Sequence, residues 1–169
     1  MTFFVTDIEC DGPLTGVHSL RSIGSVAVTK ELVKRGTFYV NIAPHFHEDE
    51  DTVRWWKQWP RARQSLEKNQ RQPGDAMAEF VQWLEKFTKP WIFISDTDWF
   101  DYPWIVWYLK YYLNQQFVFA YQIDFTKQAS YCGIELPAIQ PAMPHNALSD
   151  ALALAEQFIG VWPKIRKEK

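Results

Sequence analysis

The sequence predicts an α/β fold in which helices cover a mixed β-sheet. Three apolar segments near the N-terminus are separated by short connections, which is typical of consecutive antiparallel strands. Beyond Pro44, short apolar runs alternate with segments of helical periodicity, and this pattern favours further strands with helices packed on the sheet. A chain of 169 residues fits one hydrophobic core, so we expect a single domain over residues 1–169.

Runs of β-branched and aromatic residues predict the strands. Phe3–Ile8 is a short apolar run that ends at an Asp-Gly-Pro turn signal at residues 11–13. Ser19–Thr29 and Gly36–Ile42 follow and are joined by a charged turn, so we expect the three strands to form an antiparallel meander. Two later apolar runs also predict strands: Trp91–Ile94 and Phe117–Phe119.

Helical spacing and helix-forming composition predict five further segments. Pro60 must kink or interrupt the first of them. Pro103 is expected in the first turn of the third, where a proline needs no amide partner. The segments are Asp51–Gln70, Asp75–Phe87, Pro103–Leu113, Phe125–Cys132 and a last helix from near His145 to about Ile159.

Charge and cysteine content limit the class of protein. A net charge of −2 argues against a protein that holds nucleic acid mainly by a basic surface. Carboxylates around divalent cations would still allow a phosphodiester to bind. Cys10 and Cys132 lie far apart without CxxC spacing, so they indicate neither a zinc cluster nor a disulfide framework. The sequence has no basic leader and no run of ~18 apolar residues, so we expect no membrane segment and, by default, a cytoplasmic location.

An acidic pair closes the first predicted strand. Asp7 and Glu9 are two residues apart, so their side chains point to the same face of the strand. The pair follows a fully apolar run, at the point where a core strand stops, although a solvated strand end is the alternative for so short a motif. Two close carboxylates repel each other unless a cation neutralises them, so the pair indicates a metal site.

A second motif, H-x-A-x-x-D, lies at the start of the last predicted helix. Five residues is not a same-face spacing within a helix. His145 and Asp150 therefore reach one pocket only if His145 lies just before the helix and Asp150 lies inside it. The alanine-rich run that follows favours close packing of this helix against a sheet, whereas the alternative is a terminal histidine and a solvated aspartate.

Three aspartates follow the predicted mid-chain strand. Asp96, Asp98 and Asp101 occur within six residues, which is hard to explain as core, although capping could use one or two of them. Asp101 is expected near the N-cap of the helix that Pro103 opens, where backbone donors can orient a carboxylate. Asp96 and Asp98 are expected in the turn before it.

Together and in this order, the three motifs resemble those of the DnaQ-like exonucleases of the DEDDh type. DIECDGP is similar to that family's first motif, WFDYPWIVWYL to its second and HNALSDALALAEQF to its third, so the resemblance spans Phe3 to Phe158. TVRWW at residues 52–56 also resembles the paired-tryptophan stretch of the phage DexA-like exonucleases and the mycobacterial Rv2179c-like exoribonucleases. The chain departs from many relatives at residues 96–98, where Asp-Thr-Asp stands in place of an asparagine.

The resemblance implies a ribonuclease H-like mixed five-stranded sheet flanked by helices, with 3′–5′ exonuclease activity. It implies that His145 is the general base and that two Mg²⁺ or Mn²⁺ ions bind, in keeping with the preference of these hard cations for carboxylate oxygens. The implied metal ligands, which are also catalytic residues, are Asp7, Glu9, Asp101 and Asp150.

The expected partner is the single-stranded 3′ end of a nucleic acid. Trp55, Trp56 and Trp99 are candidates to stack on its bases, with core packing as the alternative for each ring. The choice between RNA and DNA stays open, as does a homodimer, since relatives are often dimers. Two other functions also stay open: a non-catalytic nucleic-acid-binding module on the same fold, and a metal-dependent hydrolase of small phosphoesters.

Overall fold

The computed structural model describes residues 1–116 and 118–167, except for the side chain of Asp98. Five strands within this part of the chain form one mixed sheet: β1 (Thr2–Cys10), β2 (Leu20–Thr29), β3 (Lys34–Asn41), β4 (Trp91–Ser95) and β5 (Tyr121–Asp124). Their order across the sheet is β3-β2-β1-β4-β5.

The direction of the strands brings three strand ends together. β1, β2 and β3 pair in antiparallel fashion, which confirms the predicted meander. β4 pairs with β1 and β5 pairs with β4, both in parallel. Because β1, β4 and β5 run in one direction, their carboxyl ends meet at the same edge of the sheet. Asp7 and Glu9 lie at that edge, near the end of β1.

Helices cover both faces of the sheet, so the predicted mixed five-stranded sheet flanked by helices is confirmed. The helices of the described residues are α1 (Glu50–Trp56), α2 (Pro60–Leu66), α3 (Pro73–Leu84), α4 (Asp98–Leu113), α5 (Phe125–Tyr131) and α6 (Ala147–Ile165). None of these helices combines the length and the apolar character that crossing a membrane requires.

Side chains of β1 alternate between two cores. Phe4 and Ile8 pack in the core that α3 and α4 cover, whereas Phe3 and Val5 pack in the core that α5 and α6 cover. The same alternation continues along the strand, so Asp7 extends the row of Phe3 and Val5 on the α6 side. The site therefore begins where one hydrophobic core ends.

Two prolines act differently from each other. Pro60 ends the helix predicted over residues 51–70, because it stands at the first position of α2 and separates that helix from α1. The expectation that Pro103 lies in a first turn is wrong, because α4 begins five residues earlier, at Asp98. The amides of Phe100 and Asp101 both donate to the Thr97 carbonyl and start the helix there. Pro103 lies inside α4, where it supplies no amide hydrogen to the helix.

The last strand lies later in the chain than predicted. Phe117 falls outside the described residues, and Val118 and Phe119 are not in a strand. The strand is β5, which starts where the Ala120 amide donates to the Trp91 carbonyl at 2.9 Å and Tyr121 pairs with Ile92. Phe119 is 4% exposed and packs on core rings. Phe119 is thus apolar because the connection that leads into β5 is buried at this residue.

Candidate active site

Three acidic side chains converge at the carboxyl end of β1. Oxygen atoms of Asp7, Glu9 and Asp150 all lie within 4.8 Å of one another. Asp7 and Glu9 project from the same face of β1, and Asp150 comes from the first turn of α6. Carboxylate oxygens from sequence positions more than 140 residues apart are thereby brought into one group, and such oxygens suit a divalent cation.

Gly24 allows α6 to lie this close to the sheet. It pairs with Asp7 across the β1–β2 ladder. A Cβ atom built on Gly24 would lie 2.1–2.3 Å from backbone atoms of Ala147 and Leu148, a separation that no side chain permits. The first turn of α6 therefore rests directly on β2, beside Asp7, and this contact sets the position of Asp150.

Asn146 fixes the start of α6. Its side chain accepts a hydrogen bond from the Ser149 amide at 3.1 Å, and its carbonyl accepts one from the Asp150 amide at 2.9 Å. This is the usual capping arrangement for Asn at a helix N-terminus. His145 lies just before the helix and Asp150 lies inside it, and both line the same cavity.

Asp101 lies in the wall of the same cavity, outside the group of three oxygens. It is the fourth residue of α4, so the expected place near an N-cap is wrong. The side chain is 3% exposed, and its buried Oδ2 has no hydrogen-bond partner among the described residues. A buried carboxylate oxygen without a partner is costly, and a bound cation would offset that cost.

Burial and mutual repulsion raise the pKa of every carboxyl group at the site. The pKa of Asp7 is well above its usual value because of burial first and then the charges of Glu9, Asp101 and Asp150. Burial raises the pKa of Glu9 in the same way, with Asp150 and Asp101 adding to it. For Asp101, burial and then Asp96 raise the pKa. Burial raises the pKa of Asp150 to about 6. Without a cation, the site therefore favours protonated carboxyl groups.

The residues present fit divalent cations. The donors are carboxylate oxygens, which are the ligands that Mg²⁺ and Mn²⁺ prefer. No lysine or arginine is among the described residues that line the cavity, so neither of these cations compensates the acids there. The volume of the cavity is about 430 Å³. Its lining consists of Asp7, Ile8, Glu9, Asp96, Thr97, Phe100, Asp101, Ile139, Pro141, His145, Asp150, Ala153, Leu154 and Gln157.

His145 is held in a conformation that few residues adopt. Its φ of 61° lies in the left-handed region, where histidine, asparagine and aspartate are more frequent than other non-glycine residues. Its ring contacts two indoles, with centroid distances of 4.5 Å to Trp55 and 4.3 Å to Trp59. Burial lowers the pKa of His145 below its usual value, so the imidazole is neutral at neutral pH. A neutral imidazole can accept a proton.

The three predicted stacking tryptophans have different environments. Trp56 is 2% exposed, and its indole N–H donates to the Cys10 carbonyl at 3.3 Å. The prediction that Trp56 stacks on a base is wrong, because this ring packs inside the α1–α2 region. Trp55 is 36% exposed and Trp99 is 69% exposed, so both rings are accessible. The sequence pattern alone could not separate these cases, because neighbouring residues of a helix face different directions.

A second cavity adjoins the first and is more apolar. Its volume is about 520 Å³, and it shares Ile8, Glu9 and Phe100 with the cavity of the carboxylates. Trp55 and Pro13 contribute to its wall. Sequence reasoning missed Phe100 as a lining residue, although its place directly before Asp101 was a signal. It also missed Trp59, which is the N-cap residue of α2 and lies beyond the end of α1, so helical spacing gave no signal for it.

Comparisons with known proteins agree with this geometry. The sequence matches no curated protein. The fold is similar to a structure of exonuclease I (TM-score 0.74, 17% identity, 99% of this chain and 42% of that one). It is also similar to E. coli exonuclease I in complex with a dT13 oligonucleotide (TM-score 0.74, 16% identity, 99% of this chain and 43% of that one). A zinc-bound complex of the E. coli enzyme with single-stranded DNA gives a TM-score of 0.71 at 15% identity, over 99% of this chain and 42% of that one.

At these identities the likeness shows the fold, and the chain spans about two fifths of the length of those proteins. The family model gives a more specific result, because it matches residues 2–162 and so includes all three acidic motifs. The protein belongs to the Rv2179c-like family of 3′–5′ exoribonuclease domains.

Proposed function

We propose that the protein hydrolyses single-stranded RNA or DNA from the 3′ end, with two Mg²⁺ or Mn²⁺ ions and His145 as general base. The observation that carries the proposal is the convergence of Asp7, Glu9 and Asp150 oxygens within 4.8 Å in a cavity that His145 also lines. Burial together with Glu9 and Asp150 raises the pKa of Asp7, and no lysine or arginine is among the described lining residues, which supports a role of the acids as cation ligands.

The carboxylates would hold the ions, with Asp7 as the candidate to serve both of them. Asp7 has the largest set of carboxylate neighbours, since Glu9, Asp101, Asp150 and Asp96 all act on its pKa. Bound divalent cations supply Lewis-acid chemistry, which polarises a phosphodiester and makes water a better nucleophile near neutral pH. Asp101 would complete the ligand set from the α4 side of the cavity.

His145 would accept the proton of the attacking water. Its lowered pKa keeps the ring in the basic form at neutral pH, and its place in the lining gives it access to the same space as the carboxylates. A general base of this kind contributes about 10²- to 10⁴-fold in rate.

Trp55 and Phe100 would hold the terminal base. Both line the apolar cavity next to the carboxylates, and Phe100 lines both cavities. Both side chains are aromatic and so suit stacking, which requires no particular base. Trp99, which is exposed and packs edge-on against Phe100 at 5.8 Å, would contact a nucleotide further from the end.

The test is digestion of 5′-labelled single-stranded RNA and DNA with Mg²⁺, Mn²⁺ or excess EDTA. We expect a ladder of products shortened from the 3′ end in either cation and no products in EDTA. Full activity in EDTA would exclude the role of divalent cations. Unchanged substrate with binding would indicate the non-catalytic module, and turnover of small esters alone would indicate the phosphoester hydrolase.

A further inference from the structure

The general base proposed above has an unusual environment. The His145 ring lies against two indoles, edge-on to Trp55 at 4.5 Å and tilted by 59° to Trp59 at 4.3 Å. Its backbone is in the left-handed region, where a non-glycine residue persists only if the surroundings hold it there. The two ring contacts restrain the side chain of His145.

Trp59 is fixed independently of His145. It packs on a small cluster formed by Trp56, Ala62 and Leu66, all of which are buried. Its own amide donates to the Trp56 carbonyl at 2.9 Å, and its carbonyl accepts from the Arg63 amide at 2.9 Å. The hydrogen bonds fix the backbone of Trp59, and the packing on the buried cluster positions its ring beside His145.

Ion pairs of the buried Asp11 and Arg21 join this region to the strand that carries the acids. Arg63 of α2 binds Asp11 at 2.7 Å, two residues after Glu9. Asp11 is 1% exposed and also binds Arg21 of β2, at 2.8 Å. Arg21 in turn binds Glu67 at the end of α2, at 2.9 Å. These contacts fix the distance between α2 and the end of β1.

The residue after His145 is tied to the same helix. The Asn146 amide group donates to the Ser65 hydroxyl at 3.3 Å and to the Tyr39 hydroxyl at 2.9 Å. The Met143 amide donates to the Ser149 hydroxyl at 2.8 Å, which closes the segment before α6. His145 is thus held by α2 through its ring and through its neighbour.

Trp55 and Trp59 differ in their access to substrate. Trp55 lines the apolar cavity beside the acids, whereas Trp59 is absent from the described lining of both site cavities. Trp59 lines a separate cavity of about 290 Å³, together with Met143 and Pro144. Its ring contacts two residues of the site, His145 at 4.3 Å and Trp55 at 6.4 Å, and the contact with His145 is the closer of the two.

We propose that Trp59 is a positioning residue that orients the imidazole of His145 toward the carboxylate cavity, so that its effect on the rate passes through His145. The inference rests on the proposed function, because it requires His145 to act as the base. It assigns to Trp59 a contribution to kcat without a contribution to the binding of nucleic acid.

A double-mutant cycle between the two residues tests this. Trp59→Leu removes the ring contact, Trp59→Phe keeps a smaller ring, and His145→Asn removes the base with a side chain that tolerates the left-handed backbone. Trp59→Leu in the wild-type background should lower kcat by about 10- to 10²-fold, the scale of a misplaced group, with KM unchanged. Trp59→Phe should recover most of the rate. In the His145→Asn background, Trp59→Leu should cost less than about two-fold, since the group it orients is gone.

Trp99→Leu is the matched control, because Trp99 is exposed and does not contact His145 among the described ring contacts. Its effect should be the same in both backgrounds. Thermal unfolding and calorimetric Mn²⁺ binding on every variant identify losses caused by misfolding, and Trp59→Phe keeps the test valid if Trp59→Leu fails to fold.

Three results would overturn the inference, and the third also contradicts the proposed function. If His145→Asn is inactive while Trp59→Leu and Trp59→Phe keep the wild-type rate, or if Trp59→Leu costs the same in both backgrounds, Trp59 does not act through His145 and the proposed function stands. If His145→Asn itself keeps the wild-type rate, the proposed general base is wrong and the inference falls with it.

Discussion

Asp7 lies near the end of a hydrophobic strand, and its burial there has an electrostatic cost. It continues the row of Phe3 and Val5, so the alternation that builds the core also delivers a carboxylate to the cavity. Its pKa is raised by burial and by four neighbouring acids, so folding places charge where the protein itself does not compensate it. Functional sites often carry such a cost, because the arrangement that binds a ligand is unfavourable without it.

His145→Asn should lower the rate of hydrolysis by at least about 10²-fold, the lower end for a general base. Asparagine adopts the left-handed backbone, so the fold and the affinity for Mn²⁺ should be kept. The loss should be smaller at about pH 9 than at about pH 7, because hydroxide replaces the assisted water. Single-turnover rates across this pH range measure the effect, and a variant within a few-fold of wild type at both values would contradict it.

Asp101→Asn should remove most of the activity, at least about 10²-fold if the carboxylate stabilises the transition state through a cation. Asp101 is 3% exposed with an unpartnered buried oxygen, whereas Asp96 is exposed and accepts from the Thr97 hydroxyl at 3.2 Å. Asp96→Asn is therefore the control, and it should keep a sizeable fraction of the rate. Calorimetric titration with Mn²⁺ should lose one binding event in Asp101→Asn. Greater damage from Asp96→Asn would show that the second-motif ligand is assigned to the wrong aspartate.

At the scale of secondary-structure elements, the site depends on the contact between α6 and β2. The start of α6 carries Asn146 as its cap, His145 before it and Asp150 in its first turn. Only glycine at position 24 leaves room for this approach, because a Cβ atom there would lie 2.1–2.3 Å from backbone atoms of α6. One glycine in β2 thus decides whether the third motif reaches the first.

Gly24→Ala should therefore lower both stability and activity, since the first turn of α6 must move away from Asp7. The cost belongs to the overpacking class, about 1–3 kcal/mol or more. Gly160→Ala in α6 is the matched control, because nothing lies within 4 Å of a Cβ atom built at that position. That change should stabilise the protein by about 0.4–1 kcal/mol and leave activity unchanged. Denaturant unfolding of both variants gives the comparison, and equal stability of the two would refute the role of Gly24.

Sequence periodicity predicts some parts of this arrangement and not others. The meander and the acidic pair at the end of β1 follow from alternation along a strand, which is a local property. The position of β5 depends on contacts with another strand, such as the Ala120–Trp91 hydrogen bond. The start of α4 at Asp98 depends on local hydrogen bonds to the Thr97 carbonyl, which the apolar pattern does not report. The hydrogen bond of Trp56 to Cys10 and the contact of Trp59 with His145 join residues far apart in the chain, so no pattern along the sequence reports them.

At the scale of the whole molecule, the topology of the sheet brings acidic side chains from distant sequence positions together. Parallel strands β1, β4 and β5 bring their carboxyl ends to one edge of the sheet, and α4 and α6 contribute their N-terminal turns there. The resulting cavity contains acids from all three motifs. The stability of the entire fold is therefore linked to the protonation and cation binding of this edge.

This linkage has a sign that can be measured. A carboxyl group whose pKa is raised on folding binds more protons in the folded state, so stability is highest below the usual pKa of 3.8 and falls as the pH rises toward the folded value. For Asp150 this window extends to about 6, and for Asp7 and Glu9 the direction is the same. The lowered pKa of His145 acts in the opposite direction as the pH rises toward 6.5.

The thermal midpoint in EDTA should accordingly fall between about pH 5 and pH 7.5, by about 2–4 °C for each kcal/mol lost. Asp7→Asn separates the acids from His145, because it removes one repelled carboxylate and leaves the histidine in place. This variant should have the higher midpoint in EDTA at the upper pH and the smaller fall with pH. Adding Mn²⁺ should raise the wild-type midpoint more at about pH 7.5 than at about pH 5, since the ion binds only ionised carboxylates. The Asp7→Asn midpoint should respond less. A wild-type midpoint that is unaffected by Mn²⁺ at the upper pH, or an Asp7→Asn variant less stable than wild type in EDTA, would show that the acids at the end of β1 are compensated within the protein and do not need a cation.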